Sequence, residues 1–77
     1  MSTRLVNLTN TPQLITSKAA YIESVDGEFR FAFSPTIPTN LSVSHKDRKL
    51  YSDGSLGPLY VWKSTSSELQ IIVSEAT

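Results

Sequence analysis

The chain of 77 residues contains no cysteine. That excludes disulfide bridges, thiolate metal sites and thiol nucleophiles, and it suits a protein of a reducing compartment better than a small secreted one. An excess of one charge is also missing. Seven basic residues stand against seven acidic ones, for a formal net charge of zero. Nucleic-acid binders usually carry a clustered positive footprint, so a neutral chain with scattered charge disfavours nucleic acid as a partner. Long apolar runs are absent too. No stretch approaches the roughly 20 residues of a membrane span, and "MSTRLVNLTN" lacks the apolar core of about seven or more residues that a secretory leader needs. Neither a membrane partner nor export by a signal peptide is expected.

Helical periodicity is lacking as well: nowhere do apolar residues hold the i, i+3, i+4, i+7 spacing over a dozen positions. What the chain does have is alternation broken by turn residues. Strand candidates are "RLVNL" (4–8), the weaker "QLITS" (13–17), "KAAYIESV" (18–25), "EFRFAF" (28–33), "LSVSH" (41–45), "LYVWKS" (59–64) and "LQIIVS" (69–74), with a turn and a short strand in "KDRKLY" (46–51). Asp26-Gly27 is the signal for a tight type I′ hairpin, which would bring "EFRFAF" back antiparallel to "KAAYIESV". Prolines 35 and 38 make "SPTIPTN" a loop, because each removes a ladder donor. These features predict one domain over residues 1–77, an all-β fold. Its form is a small antiparallel β-sandwich or barrel of six to eight short strands. Residues 1–12 read as a possible arm that docks only on a partner.

The three phenylalanines of "GEFRFAF" lie on one face at period two, with Glu28, Arg30 and Ala32 on the other. Such a row suits either base stacking or a core. The RNA-recognition signature asks for a basic residue near the glycine and a small residue between aromatics. Here Asp26 stands in place of the basic residue, with Glu23 and Glu28 nearby, and Arg30 occupies the small position. A domain this small buries only about 60% of its unfolded surface, and burying each phenylalanine is worth roughly 1.5–3 kcal/mol. The row is therefore assigned to the core.

Two strands carry apolar residues on both faces. In "LYVW", Leu59 and Val61 point one way and Tyr60 and Trp62 the other; in "LQIIVS", Leu69, Ile71 and Val73 share a face and Ile72 adds an apolar residue to the opposite one. A two-layer sandwich requires one apolar face per strand. The second face is covered either by another part of the chain or by another chain. Candidate contact residues for a partner are Tyr60, Trp62 and Ile72, with Tyr51 and Arg48 as a polar rim.

No catalytic constellation stands out. His45, Asp47 and one of many serines make no triad in the absence of a nucleophile elbow. His45 is the only histidine and has no partners for zinc, and Asp53-Gly54-Ser55 lacks calcium-loop companions. "HKDRK" (45–49) reads as a solvated turn. No enzyme, cofactor or metal is expected.

The order of "AYIESVDGEFRF", "SPTIPT", "SDGSLGPLYVWKS" and "LQIIVSE" resembles that of short tailed-bacteriophage virion proteins, particularly small head-associated or decoration proteins. The chain departs from them at the last hairpin, where "TSSE" stands in place of a glycine pattern. The resemblance implies a non-enzymatic structural protein of the virion, made in the host cytoplasm. It would bind a phage capsid or another virion protein and self-associate as a homo-oligomer, commonly a trimer. Two alternatives stay open: a tail-fibre or tail attachment module, and a small single-strand nucleic-acid-binding barrel using Phe29, Phe31 and Trp62.

Overall fold

Alternating side chains between turn residues become strands along most of the chain. The computed structural model describes residues 2–76, which contain eight strands and no helix. The strands are β1 (Ser2–Asn7), β2 (Gln13–Thr16), β3 (Ala20–Ser24), β4 (Phe29–Phe33), β5 (His45–Asp47), β6 (Lys49–Ser52), β7 (Leu59–Trp62) and β8 (Gln70–Glu75). They form two four-stranded sheets, β1-β8-β3-β6 and β2-β7-β4-β5, antiparallel at every pairing. The fold is a β-sandwich rather than a barrel, and its strand order is that of an eight-stranded jelly roll.

The sheets enclose one apolar core. Ile22, Ile71 and Val73 from the first sheet meet Phe29, Phe31, Leu59 and Val61 from the second, with Leu8, Ile15 and Leu69 closing the margins. The phenylalanine row faces inward as expected, with Phe29 and Phe31 buried and Phe33 half-buried at its end. Phe29 and Phe31 pack with ring centroids 5.9 Å apart, and Phe31 meets Phe33 edge-on at 6.1 Å. The rings named for base stacking, Phe29, Phe31 and Trp62, are all buried and offer no face to a base.

Four expectations need correction. The turn at Asp26-Gly27 does not close a hairpin, because β3 and β4 belong to different sheets. Gly27 has φ +84° while no non-glycine residue has positive φ, so the two positive angles of a type I′ turn are absent. The segment is a corner between layers, held by the Ser24 hydroxyl donating to the Gly27 carbonyl at 2.6 Å. The terminal hairpin is likewise absent: β7 and β8 lie in opposite sheets.

Residues 41–44 are a turn instead of a strand, since the Asn40 side chain accepts from the Ser42 amide at 3.3 Å and its carbonyl from the Val43 amide at 3.1 Å. Finally, the supposed N-terminal arm is built into the fold. From Ser2 to Asn7 it pairs along β8, and the Leu8 amide continues to the Leu69 carbonyl at 2.9 Å. Residues 9–12 join β1 to β2, and the Lys63 amide donates to the Thr9 carbonyl at 2.9 Å.

One irregularity matters for the packing. The register of β2 on β7 slips between Leu14 and Thr16, so Ile15 is an extra residue in a β-bulge. Ile15 and Thr16 are consequently both buried, and the Thr16 hydroxyl reaches Glu75 across the sandwich.

Candidate interaction surface

Apolar side chains remain uncovered together on the outer face of the β1-β8-β3-β6 sheet, while Leu14 of β2 and Val25, Ile37, Val43 and Leu56 outside the strands are exposed apart from it. The register of that sheet sets two rows across the strands. One runs Leu5, Ile72, Glu23, Lys49; the other runs Thr3, Ser74, Tyr21, Tyr51. Leu5 is 56% exposed, Ile72 39%, Tyr21 41% and Tyr51 65%. Inward neighbours on the same strands, Ile22, Ile71 and Val73, are fully buried. The pleat alone decides which apolar residue goes where.

Tyr21 and Tyr51 are direct cross-strand partners on this face. Beside them lies an open hollow of about 320 Å³ bordered by Ala19, Ala20, Ser74 and Ala76. Polar contacts fix the margins of the face. Thr3 Oγ1 and Ser74 Oγ are 2.9 Å apart, and Gln70 Nε2 donates to Asn7 Oδ1 at 2.7 Å. Glu23 and Lys49, opposite in sign and directly paired in register, give the face its only charges within the two rows.

Of the five residues expected to contact a partner, the structure brings Ile72 and Tyr51 onto this one face. Arg48 is exposed but stands apart, at the corner between β5 and β6, where its carbonyl accepts from the Ser24 amide at 2.8 Å. Tyr60 and Trp62 are corrected. They do point away from Leu59 and Val61, yet Tyr60 is 8% exposed and Trp62 1%. The chain covers them itself.

The reason is position. β7 lies inside its sheet, with β2 on one side and β4 on the other. Tyr60 is flanked by Leu14 and Ala32, and Trp62 by Arg30. Continuing the β2 register one residue sets the buried Pro12 beside Trp62. The 9–12 loop is pinned next to it by the Asn10 side-chain amide, which donates to the Lys63 and Thr65 carbonyls at 3.1 Å each.

Leu5 and Tyr21 were missed as surface residues. Their signal was an apolar side chain in the polar phase of an alternating strand, the same signal that singled out Ile72.

A second hollow, of about 710 Å³, opens by the 34–44 loop and is lined by Ala32, Phe33, Ser42, Val43, Ser44, His45 and Leu56. His45 is its one titratable side chain, and that ring packs on Phe31 at 5.3 Å. Among the described residues no cluster of three His, Asp or Glu side chains is placed to hold a metal ion. No helix among them is long and apolar enough to cross a membrane.

No protein-family model, curated protein or solved structure matches this chain.

Proposed function

We propose that the chain is a non-enzymatic structural protein of a phage virion that attaches to the capsid lattice through the outer face of the β1-β8-β3-β6 sheet. The observation carrying this reading is the uncovered set Leu5, Ile72, Tyr21 and Tyr51 on a sheet whose opposite face is already sealed against the core. Aromatic residues beside small apolar ones make the centre of a contact patch, and polar side chains at its margin make the rim. Two further points support it. The eight-stranded jelly roll is an architecture used by viral capsid domains, among others, an argument by fold analogy. The order of sequence features also resembles small head-associated proteins.

The mechanism is additive. One such patch binds weakly, but repeated copies on a symmetric lattice raise the effective concentration of each contact, so attachment becomes tight without any single strong site. The virion is the corresponding location.

Co-sedimentation with undecorated capsids tests this. The native chain should pellet with capsids, and a Tyr51→Ser, Ile72→Thr double variant should lose at least about tenfold in retention while its unfolding midpoint moves little. Trp62→Ala is the contrasting control: it removes a buried ring and should cost about 3–5 kcal/mol of stability. Unchanged retention of a folded Tyr51→Ser, Ile72→Thr chain would overturn the assignment of this face. Retention by isolated tails and not by heads would move the protein to the tail.

A further inference from the structure

The two sheets have four edge strands, β1, β6, β2 and β5. An unpaired edge exposes a row of backbone donors and acceptors, and proteins blunt such edges with bulges, prolines, charges or short length. Three of these edges are blunted. β2 carries the bulge at Ile15 and follows Pro12; β5 is three residues long, His45-Lys46-Asp47; β6 is four residues long and begins at Lys49 beside Arg48. β1 has none of these devices. It is six residues long, without proline, glycine or bulge. Its one charge, Arg4, is already engaged: Nη1 meets Glu75 Oε1 at 2.8 Å and Nη2 donates to the Ile15 carbonyl at 2.8 Å.

The ladder says which backbone groups of β1 are free. The Leu8 amide donates to Leu69, and in an antiparallel ladder hydrogen-bonded residues alternate. Arg4 and Val6 therefore face β8, while Thr3, Leu5 and Asn7 point their N–H and C=O groups away from the sheet. Among the described residues no other backbone hydrogen bond reaches these groups.

We propose that β1 is the contact between two copies of this chain, joined antiparallel about a twofold axis at Leu5 so that the two sheets become one. Directly opposed residues in an antiparallel pair lie on the same face, so the axis must pass through a residue pair. Centred on Leu5, the pairs are Leu5 with Leu5, Thr3 with Asn7 and Asn7 with Thr3. Every outward backbone group of the strand then finds a partner. On the outer face the Leu5–Ile72 row meets its own image, giving a continuous apolar row of four side chains. Arg4 falls opposite Val6 of the other copy.

Centring on Arg4 would oppose two like charges and leave Asn7 without a partner inside β1. The self-complementary strand is what an isologous contact requires, and a chain of zero net charge meets no long-range repulsion on pairing. The inference deepens the lattice-module reading by naming its copy-to-copy contact, and it makes a twofold dimer where the phage resemblance implied a trimer.

The chain has no cysteine, so a single introduced thiol reports the axis. Opposed residues of a hydrogen-bonded pair have Cα atoms about 5.5 Å apart, within disulfide reach. Oxidised Leu5→Cys should run as a covalent dimer in near-quantitative yield, whereas Ile72→Cys, exposed but off the axis, should cross-link at least tenfold less. Light scattering of the native chain should give twice the 8.5 kDa mass at high concentration. Leu5→Lys, which opposes two ammonium groups across the axis, should weaken dimerisation at least tenfold with its thermal transition retained. Leu5→Pro removes the outward N–H together with the leucine side chain and should do the same.

A native chain that stays monomeric into the millimolar range, or forms a trimer, would overturn the proposal. So would equal cross-linking at positions 5 and 72. Capsid retention is scored separately with a Tyr21→Ser, Tyr51→Ser chain, which leaves the Leu5–Ile72 row intact. Binding to capsids without dimers sinks only the strand contact; dimers without capsid binding sink only the virion reading.

Discussion

Glu75 joins the two sheets at the level of single side chains. Its carboxylate accepts from the Thr16 hydroxyl of β2 and from Arg4 Nη1 of β1, while Arg4 Nη2 also holds the Ile15 carbonyl. The Thr16 hydrogen bond first, and then Arg4, hold the Glu75 carboxyl below its ordinary value of 4.5. A carboxyl whose folded-state pKa is depressed contributes stability above its unfolded pKa, and that contribution is lost as pH falls through the folded value. We therefore expect the native chain to lose stability on acidification below pH 4.5. Glu75→Gln should cost about 1 kcal/mol at neutral pH, an amount held down by the exposure of Arg4, and its stability should depend less on pH in that window. Urea titrations of both chains at pH 7 and in acid would check this. A constant gap between them would remove Glu75 from the account. This network could not be read in advance, because it depends on a bulge that turns Thr16 inward, and nothing in "QLITS" marks one.

At the scale of elements, most strand positions were legible and their pairing was not. β3, β4 and β7 fall within the alternating stretches that announced them and β8 overruns its own by one residue, since period-two alternation is a local property. Pairing is not local. Asp26-Gly27 serves a two-residue hairpin and a sheet-to-sheet corner alike, and only Ile22 and Phe29 packing from opposite layers decides between them. The N-terminal segment shows the same limit. "RLVNL" read as a short strand within a possible partner-docking arm, but it completes a ladder on β8 and adds Val6 to the core margin. Deleting residues 1–7 should therefore abolish cooperative unfolding. A domain of this size has about 4–12 kcal/mol of total stability, and the deletion strips the partner of one whole side of β8. Circular dichroism melts would test it; a sharp transition near the native midpoint would mean that β1 is an accessory arm after all.

For the whole molecule, topology has kinetic consequences. β4 and β5 are the one sequential pair that are also sheet neighbours among the described residues, and even they are separated by the 34–44 loop. All other pairings join strands distant in sequence, such as β1 with β8. Loop-closure entropy must be met before such contacts give any return, so this chain should fold in about a millisecond to seconds, far slower than a helical bundle of its length. Stopped-flow fluorescence of Trp62 would show it, and a microsecond phase accounting for the full amplitude would contradict the strand order described here. The sequence by itself determined the all-β class, the burial of the phenylalanine row and the absence of thiol chemistry, because alternation, residue volume and composition are local facts. It also marked Ile72 and Tyr51 as surface candidates, which the fold places together. Tertiary structure alone decided that Tyr60 and Trp62 are interior, that β1 belongs to the sandwich and that its edge is open. Those outcomes depend on which strands lie side by side, and a strand's neighbours are chosen by the packing of the whole chain.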